Sequence, residues 1–409
     1  MNKITNKNLV GQPIFSQVLN YIPKTKIASI IREKNSDKYY KKIHTFKHLV
    51  VMLFGVISKC HSLREICDGM LVCEGKLNHL AIDSSPKRST LADANKNRSH
   101  EVFESIYYML IGHYKSILSD SKIVGLSIQR LFAIDSTTIS LFSNILEGVG
   151  RNPKKNGKKK GGIKAHMLID AKEGVAKFIK LTAAKIHDST FLKYVMLPKG
   201  SYVVFDKAYN KYKLFAEWTE RGVYFVTRMK ENAVFKILEV KRTYTIPYIV
   251  GVIREEIIEL TYMDNKEEKT IKLMRIEYVD PITKRALTFI SNSFELTAEE
   301  IALIYKNRWQ IELLFKKIKQ NFQLKYFVGD TENVIKIQIW VTLIAHLIVS
   351  IIKKVSKSKK AFSNIVTTIR IHLMSYVKLL DFLKNTLKTW EEMKNEKKQE
   401  DTQYCLWGP

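Results

Sequence analysis

Acidic residues are scarce in this sequence. Its 409 residues include 40 Asp and Glu against 68 Lys and Arg, a formal net charge of +28. A surplus of this size opposes folding through self-repulsion, and it indicates a polyanionic partner. Because the basic residues are spread along the whole chain instead of along one helix, nucleic acid is favoured over a membrane surface.

Cysteine is also rare, and the four cysteines, Cys60, Cys67, Cys73 and Cys405, form no CxxC pair. The first three could form a zinc site together with His61. Their spacings do not fit a zinc knuckle, however, so buried thiols in a reducing compartment are the favoured interpretation.

Long apolar runs are missing too. The N-terminus lacks the apolar segment of a signal peptide. The most apolar stretch, IQIWVTLIAHLIVSII (337–352), contains Gln338 and His346 and is shorter than the ~20 residues of a membrane span. It therefore predicts a buried core helix, and we expect a cytoplasmic protein with no membrane contact.

Residues 1–125 have the apolar spacing of helices, for example in TFKHLVVMLFGVIS (45–58). A helical segment over 88–112 begins with Ser and Thr and carries Lys96 and Arg98 on its polar face. We predict a helical DNA-binding domain here, with this segment as a recognition helix of a helix-turn-helix-like unit. The alternative is an ordinary solvated helix in a bundle.

The pattern changes after residue 125 to an α/β fold. Three strands, a helix, a strand, a helix and a strand are predicted in turn, which gives a mixed sheet with helices on its faces. Alternating apolar and charged residues over about 234–291 predict a separate antiparallel insertion. Helices return over 297–322 and 332–353. We place domain boundaries at 126–353 for this unit and at 354–409 for a helical C-terminal region.

A basic run, GRNPKKNGKKKGGIK (150–164), connects the first two predicted strands. It contains seven basic residues and no acid, and its Lys158, Lys159 and Lys160 are consecutive. We interpret it as a loop that binds DNA phosphates. The alternative is a solvated hairpin tip.

Three acids occupy unusual positions. Asp135 lies inside an apolar strand, and Asp206 follows the apolar strand segment YVVF. Buried carboxylates are costly unless they are paired or bind a cation, and ligands of open α/β sheets gather at the carboxyl ends of strands. Each Asp alone could simply cap a strand end or a following helix. The third acid, Glu312, lies in the cationic segment YKNRWQIELLFKKIKQNF (305–322).

Helical rotation of about 100° per residue places Glu312 on one stripe with three other side chains. Tyr305, Arg308, Glu312 and Lys319 fall within a sector of about 60°, apart from the apolar face. The alternative is a set of surface salt bridges, such as Arg308 with Glu312, worth about 0.3–0.5 kcal/mol each.

The spacing Y-x2-R-x3-E-x6-K, after Asp135 in AIDST and Asp206 in VVFDKAYN, resembles the DDE transposases of the insertion-sequence-4 type. The segments GGIKAHMLIDA, KIHDST and FVTRMK, and the N-terminal FSQVLNYIP, are similar to the family as well. The resemblance extends from about residue 10 to residue 350.

The resemblance implies a ribonuclease H-like catalytic core interrupted by the β-rich insertion. Asp135, Asp206 and Glu312 would be the catalytic residues and would hold two Mg²⁺ or Mn²⁺ ions per active site. The expected DNA-binding residues are Tyr305, Arg308, Lys319, Arg228, Lys230 and the loop residues Lys158, Lys159 and Lys160.

The implied function is that of a bacterial insertion-sequence transposase in the cytoplasm, associated with the nucleoid. It would bind double-stranded DNA, both the terminal inverted repeats and the target, and work by cut-and-paste through hairpin ends. A homodimer in the synaptic complex is expected, with the C-terminal region as a candidate dimerisation segment. The alternatives are a catalytically inactive DNA-binding protein and a simple nuclease of the same fold.

The hairpin step is the least supported part of this prediction. Some relatives receive a flipped base on a Trp of the insertion, and 234–291 contains no Trp. Tyr244, Tyr248 or Tyr262 could stack on a base instead.

Overall fold

A computed structural model describes residues 11–118, 128, 130–140, 162–243, 251–322, 324 and 326–393. The chain divides into two compact units, one of Met1–Leu118 with Lys317–Pro409 and one of Ser119–Lys316. The three predicted domains differ from this grouping, because the C-terminal segment belongs with the N-terminal helices. DNA binding by residues 1–125 and dimerisation through 354–409 stay predictions.

The secondary structure alternates between helical and β-rich parts, as the sequence predicts. The described helices are α1 (Ile14–Leu19), α2 (Lys24–Glu33), α3 (Thr45–Ser58), α4 (Leu63–Val72), α5 (Arg88–Asn97), α6 (Glu101–His113), α7 (Lys115–Leu118), α8 (Tyr212–Glu220), α9 (Ala298–Asn307), α10 (Trp309–Asn321), α11 (Glu332–Ser356), α12 (Phe362–Ile371) and α13 (Leu379–Lys384). The described strands are β1 (Leu131–Ser140), β2 (Gly162–Asp170), β3 (Val175–Ala183), β4 (Tyr202–Phe205), β5 (Tyr224–Arg228), β6 (Phe235–Thr243), β7 (Gly251–Asp264), β8 (Glu267–Val279) and β9 (Ala286–Ser291).

The helical unit is built around α11. This helix has 25 residues and is apolar and long enough to cross a membrane, so the prediction that it is too short was wrong. It is nevertheless a core helix, because 89% of its most apolar window is buried inside the protein. Helices α3 and α6 pack against it, since each has an apolar face.

Arg98 lies in the core of the helical unit and not on its surface. It is 1% exposed and follows α5 directly. Its guanidinium donates to the Ile43 carbonyl at 2.8 Å and contacts Nδ1 of His48 at 2.8 Å. Burial and the charge of Arg98 lower the pKa of His48 to about 3, so this imidazole is neutral. The prediction that Arg98 contacts DNA from a recognition helix is therefore wrong, because its hydrogen bonds are used inside the fold.

The second unit is mixed α/β, as predicted. Within the described residues its sheet has nine strands in the order β3-β2-β1-β4-β5-β9-β8-β7-β6. Strands β1, β2 and β3 form the predicted antiparallel meander, and β1, β4 and β5 are parallel neighbours. The predicted helix at 187–197 is a short 3₁₀ helix, Asp188–Tyr194.

The β-rich insertion exists, but it is not a separate patch. Strands β6, β7, β8 and β9 are antiparallel to one another, and β9 also pairs with β5 in the central sheet. The insertion therefore extends the same sheet, because β9 satisfies the hydrogen bonds of the free edge of β5.

The predicted helix 297–322 is divided at Arg308 into α9 and α10. A capping box starts α9, with the Thr297 hydroxyl accepting from the Glu300 amide and Glu300 accepting from the Thr297 amide. Ile301 and Ile304 of α9 are buried and the helix contacts β4, β5 and β9. Arg308 keeps helical backbone angles, so the helical direction continues into α10.

Candidate active site

Two of the predicted acids directly follow the paired part of two neighbouring parallel strands. Ile134 of β1 lies opposite Phe205 of β4. The next residues in the chain are Asp135, inside β1, and Asp206, directly after β4, so the two residues lie side by side. Asp206 also starts a short 3₁₀ helix, where its Oδ1 accepts from the Ala208 amide at 3.1 Å.

Glu312 reaches Asp135 through one guanidinium. Nη2 of Arg308 is 2.6 Å from Oε1 of Glu312, and Nη1 of Arg308 is 3.7 Å from Oδ2 of Asp135. The structure thus brings together two acids that are 177 residues apart in the sequence. The i,i+4 salt bridge that was the alternative for Glu312 is present, but its arginine also contacts the sheet acid.

A second arginine pairs with Asp206, and one tyrosine lies near both arginines. Nη2 of Arg228 donates to Oδ2 of Asp206 at 2.7 Å. The ring centroid of Tyr305 is 6.0 Å from the guanidinium carbon of Arg228 and 5.7 Å from that of Arg308. Tyr305 itself packs on Phe289, with ring centroids 4.8 Å apart. The Tyr305 ring therefore lies within cation–π distance of both guanidinium groups.

The two aspartates differ in their electrostatics. Burial, together with the charges of Glu312 and Asp206, raises the pKa of Asp135 to about 6, although the Ser136 amide and Arg308 oppose this. Burial also acts to raise the pKa of Asp206, but the hydrogen bond from Arg228 and the nearby positive charges bring it below its ordinary value. Perturbed carboxyls of this kind are typical of functional sites.

The donor set suits a hard divalent cation. Asp135, Asp206 and Glu312 offer carboxylate oxygens, the ligands that Mg²⁺ and Mn²⁺ prefer. Among the described residues, no three His, Cys, Asp or Glu side chains are close enough to hold a metal as they stand. Arg308 and Arg228 currently bind the carboxylate oxygens. The residue chemistry fits a divalent cation, and the two guanidinium groups occupy the carboxylate oxygens in this structure.

Asp188 and His166 form a separate polar group. Oδ1 of Asp188 accepts from the Ser136 hydroxyl at 2.6 Å and lies 3.0 Å from Nζ of Lys164. Burial acts to raise the pKa of Asp188, but these two hydrogen bonds lower it. His166 is fully buried, and burial lowers its pKa to about 4. Asp188 thus accepts a hydrogen bond from the residue next to Asp135, and the His187 side chain caps the 3₁₀ helix Asp188–Tyr194.

Comparison with known proteins identifies the family. Residues 127–348, more than half of the chain, match the family described as "Transposase DDE domain". The chain belongs to the DDE transposase family. Residues 10–83 match a domain of unknown function (DUF4372).

Curated relatives bear names that agree with this family. "Putative transposase y4zB" of Sinorhizobium fredii is 30% identical over 67% of this chain and 73% of its own length. "Putative transposase for insertion sequence element IS4SA" of Synechocystis is 27% identical over 64% of this chain and 71% of its own. A Geobacillus stearothermophilus protein named for insertion sequence element IS5377 is 23% identical over 53% of this chain and 55% of its own.

A cationic cavity of about 240 Å³ lies beside the acids of this DDE-family chain. Its lining includes the predicted residues Arg228 and Lys230, and also Lys207, Phe235 and Arg275. The sequence reasoning missed the last three. Arg275 is aligned by Glu256, its partner across β7 and β8, and its guanidinium lies 5.0 Å from the Phe235 ring. Only the strand register, which the sequence does not give, could have revealed this group.

The other predicted DNA-binding residues have different positions. Lys319 is exposed on α10, two turns beyond Glu312 and in the part of the chain grouped with the helical unit. Lys158, Lys159 and Lys160 lie outside the described residues, as do Tyr244 and Tyr248. Tyr262 packs against the hydrophobic core of the sheet, so its ring is already partly covered.

Proposed function

We propose that this chain is the transposase of a bacterial insertion sequence and that it cleaves and joins double-stranded DNA at the ends of its element. Its catalytic core would be ribonuclease H-like. The contact of Arg308 with both Asp135 and Glu312 carries the proposal, because the family pattern requires these two acids to lie close together and Asp206 follows the strand next to Asp135.

Asp135, Asp206 and Glu312 would hold two Mg²⁺ or Mn²⁺ ions. When bound, such ions lower the pKa of an attacking water or hydroxyl and stabilise the leaving oxygen of a phosphodiester. Arg308 and Arg228 would then exchange their carboxylate partners for phosphate oxygens, which suit a bidentate guanidinium. Tyr305, packed on Phe289 near both groups, would keep them aimed at the same strand.

Lys230, Lys319 and the lysines Lys158, Lys159 and Lys160 would each bind DNA phosphates. The net charge of +28 supports a DNA partner. We further propose cut-and-paste transposition through hairpin ends, with two copies of the chain in the synaptic complex and a cytoplasmic location. Phe235, which lines the cavity beside Arg228, would be the aromatic residue that stacks on a displaced base.

The test is cleavage of DNA that carries the inverted repeats flanking the coding region, with Mg²⁺ or Mn²⁺. We expect nicked and joined products that disappear with a chelator. Asp206→Ala and Glu312→Ala should each lower the cleavage rate at least about 100-fold, since each removes a metal ligand. Glu220→Gln is the matched control, because Glu220 is an exposed acid of α8 in the same unit and does not line the cavity.

The outcomes separate the alternatives. Wild-type rates in both Ala variants would refute the role of the acids in cleavage. Hydrolysed ends without joined products would favour a simple nuclease. Salt-sensitive binding with no cleavage, unchanged by Asp135→Ala, would favour a DNA-binding protein without catalysis.

A further inference from the structure

A cavity of about 630 Å³ lies in the helical unit, between the start of α3 and the start of α5. Four lysines line it, Lys41, Lys42, Lys47 and Lys87. The volume far exceeds the ~30 Å³ of one water molecule, so it can hold a backbone phosphate with its sugar. The cavity shares no residue with the acids of the candidate active site.

The charge of the cavity is not compensated from within. Asp83 is the acid in its lining, and it forms an ion pair with Lys47. The four lysines less this one aspartate leave three positive charges. Lys41, Lys42 and Lys87 are exposed, so their ammonium groups can reach a ligand without unfolding the wall.

The start of α5 adds to the positive potential of the cavity. Neither His44, which precedes α3, nor Lys87, which precedes α5, provides a side-chain cap hydrogen bond within the described residues. Neither first turn contains an acidic residue. At α3, however, Oδ1 of Asp37 accepts from the Thr45 amide, so this helix start already has an anionic partner. The start of α5 favours an anion, and its residues Lys87 and Thr90 line the cavity.

The cavity walls indicate what kind of anion fits. Its charged groups are lysines, which are compact point charges that suit phosphate oxygens. Ile43 and Pro86 are buried, and Phe46 is half-buried, which gives an apolar floor beneath the lysines. Three uncompensated charges exceed what one free phosphate would neutralise, whereas successive phosphates of a DNA strand would neutralise all of them.

We propose that this cavity is a second DNA site, which binds the phosphate backbone of a duplex without reading its sequence. It would assign a role to residues within the matched domain of unknown function, 10–83, and to the start of α5. The inference rests on the proposed function only in that both require DNA as the partner. Because the cavity shares no residue with the acids, binding can be tested separately from cleavage.

The test is the equilibrium affinity of the full chain for a fluorescent duplex, measured with chelator present over a range of salt concentrations. The variant changes Lys41→Gln, Lys42→Gln and Lys87→Gln together. Each lost phosphate contact lowers the slope of log K against log salt by about 0.9, so the slope should fall by about 2.7. If the two curves meet at 1 M salt, affinity at 0.1 M falls by up to about 500-fold.

The matched control removes three exposed lysines that do not line the cavity, by Lys357→Gln, Lys359→Gln and Lys384→Gln. We expect its slope to change by less than one. Thermal unfolding should show that both triple variants are folded. If the triple cavity variant is not folded, the single variants Lys41→Gln and Lys87→Gln are measured instead. Each should change the slope by about one.

Equal slopes for the cavity and control variants would overturn the proposal. So would a loss of affinity confined to the terminal repeat, since that would indicate base readout. The same loss on a scrambled duplex supports backbone binding. The binding assay contains chelator, so it does not depend on cleavage. If the acid variants kept full cleavage activity, the proposed function would fail and the binding result would still hold. Equal slopes would overturn the cavity proposal and leave the cleavage result unaffected.

Discussion

Replacing Asp135 by Asn should stabilise the metal-free protein while it abolishes cleavage. Burial and the charges of Glu312 and Asp206 raise the pKa of Asp135 to about 6. The folded state therefore binds this proton more tightly than the unfolded state does. Ionisation at neutral pH then costs folding free energy, and Asn removes the ionising group while its Oδ1 can still accept from the Ser136 amide.

The size of the effect follows from the two pKa values. The pKa moves from 3.8 to about 6, and one pKa step is worth 1.36 kcal/mol, so the cost above pH 6 is at most about 3 kcal/mol. The side chain is 22% exposed, and Asn also loses the contact with Arg308 at 3.7 Å. We expect a net gain of about 1–2 kcal/mol at pH 8, a few degrees in melting temperature.

Denaturant unfolding with chelator, at pH 8 and at pH 4, measures this gain. The cost is absent below pH 4 and grows as pH rises towards 6, so the advantage of Asp135→Asn should vanish at pH 4. Asp188→Asn is the matched control with the opposite sign, because its hydrogen bonds lower the pKa of Asp188. An Asp135→Asn protein that is no more stable than wild type at pH 8 would refute the reasoning.

Two further predictions concern arginines. Arg228→Ala removes the hydrogen bond from Arg228 to Asp206, so burial raises the pKa of Asp206. The acid limb of the cleavage pH profile should then move to higher pH. Lys207→Ala is the control and should leave the profile in place, because Lys207 pairs with Glu231. Arg98→Met should destabilise the helical unit by about 3–5 kcal/mol in thermal unfolding, because it breaks a buried charge network, whereas exposed Arg32→Met should not. An Arg98→Met protein of unchanged stability but weaker DNA binding would instead restore the recognition-helix prediction.

Much of the fold follows from local sequence patterns. In the mixed α/β unit, strand segments have either alternating or continuous apolar residues and are separated by turn residues. The meander and the strands β4 and β5 could therefore be predicted. The pairing of β9 with β5 could not, because it joins segments about 60 residues apart and depends on which sheet edge is free. The division of 297–322 at Arg308 was also hidden, since its residues favour one continuous helix.

The acids of the candidate site were predictable, and their partners were less so. Asp135 and Asp206 stand out because an apolar strand precedes each. Arg98 was predicted to be solvent-exposed because it is a basic residue that follows a polar helix face. Its buried hydrogen-bond partners lie on segments 50–62 residues away in the sequence, so the local pattern does not reveal them. Lys207, Phe235 and Arg275 depend on strand register in the same way.

The arrangement explains why one helix stripe holds both an acid and bases. An exposed i,i+4 pair of Arg308 and Glu312 would contribute only about 0.3–0.5 kcal/mol, and helix stability does not require it. Arg308 is mostly buried, however, and also contacts Asp135, so it offsets repulsion between carboxylates that would otherwise face one another. Metal cations that replaced Arg308 would have to neutralise the carboxylate oxygens of Asp135 and Glu312. The guanidinium group of Arg308 would then need another anion as its partner. On the proposed function, metal ions and DNA phosphates fill these two needs together, so each should strengthen the binding of the other.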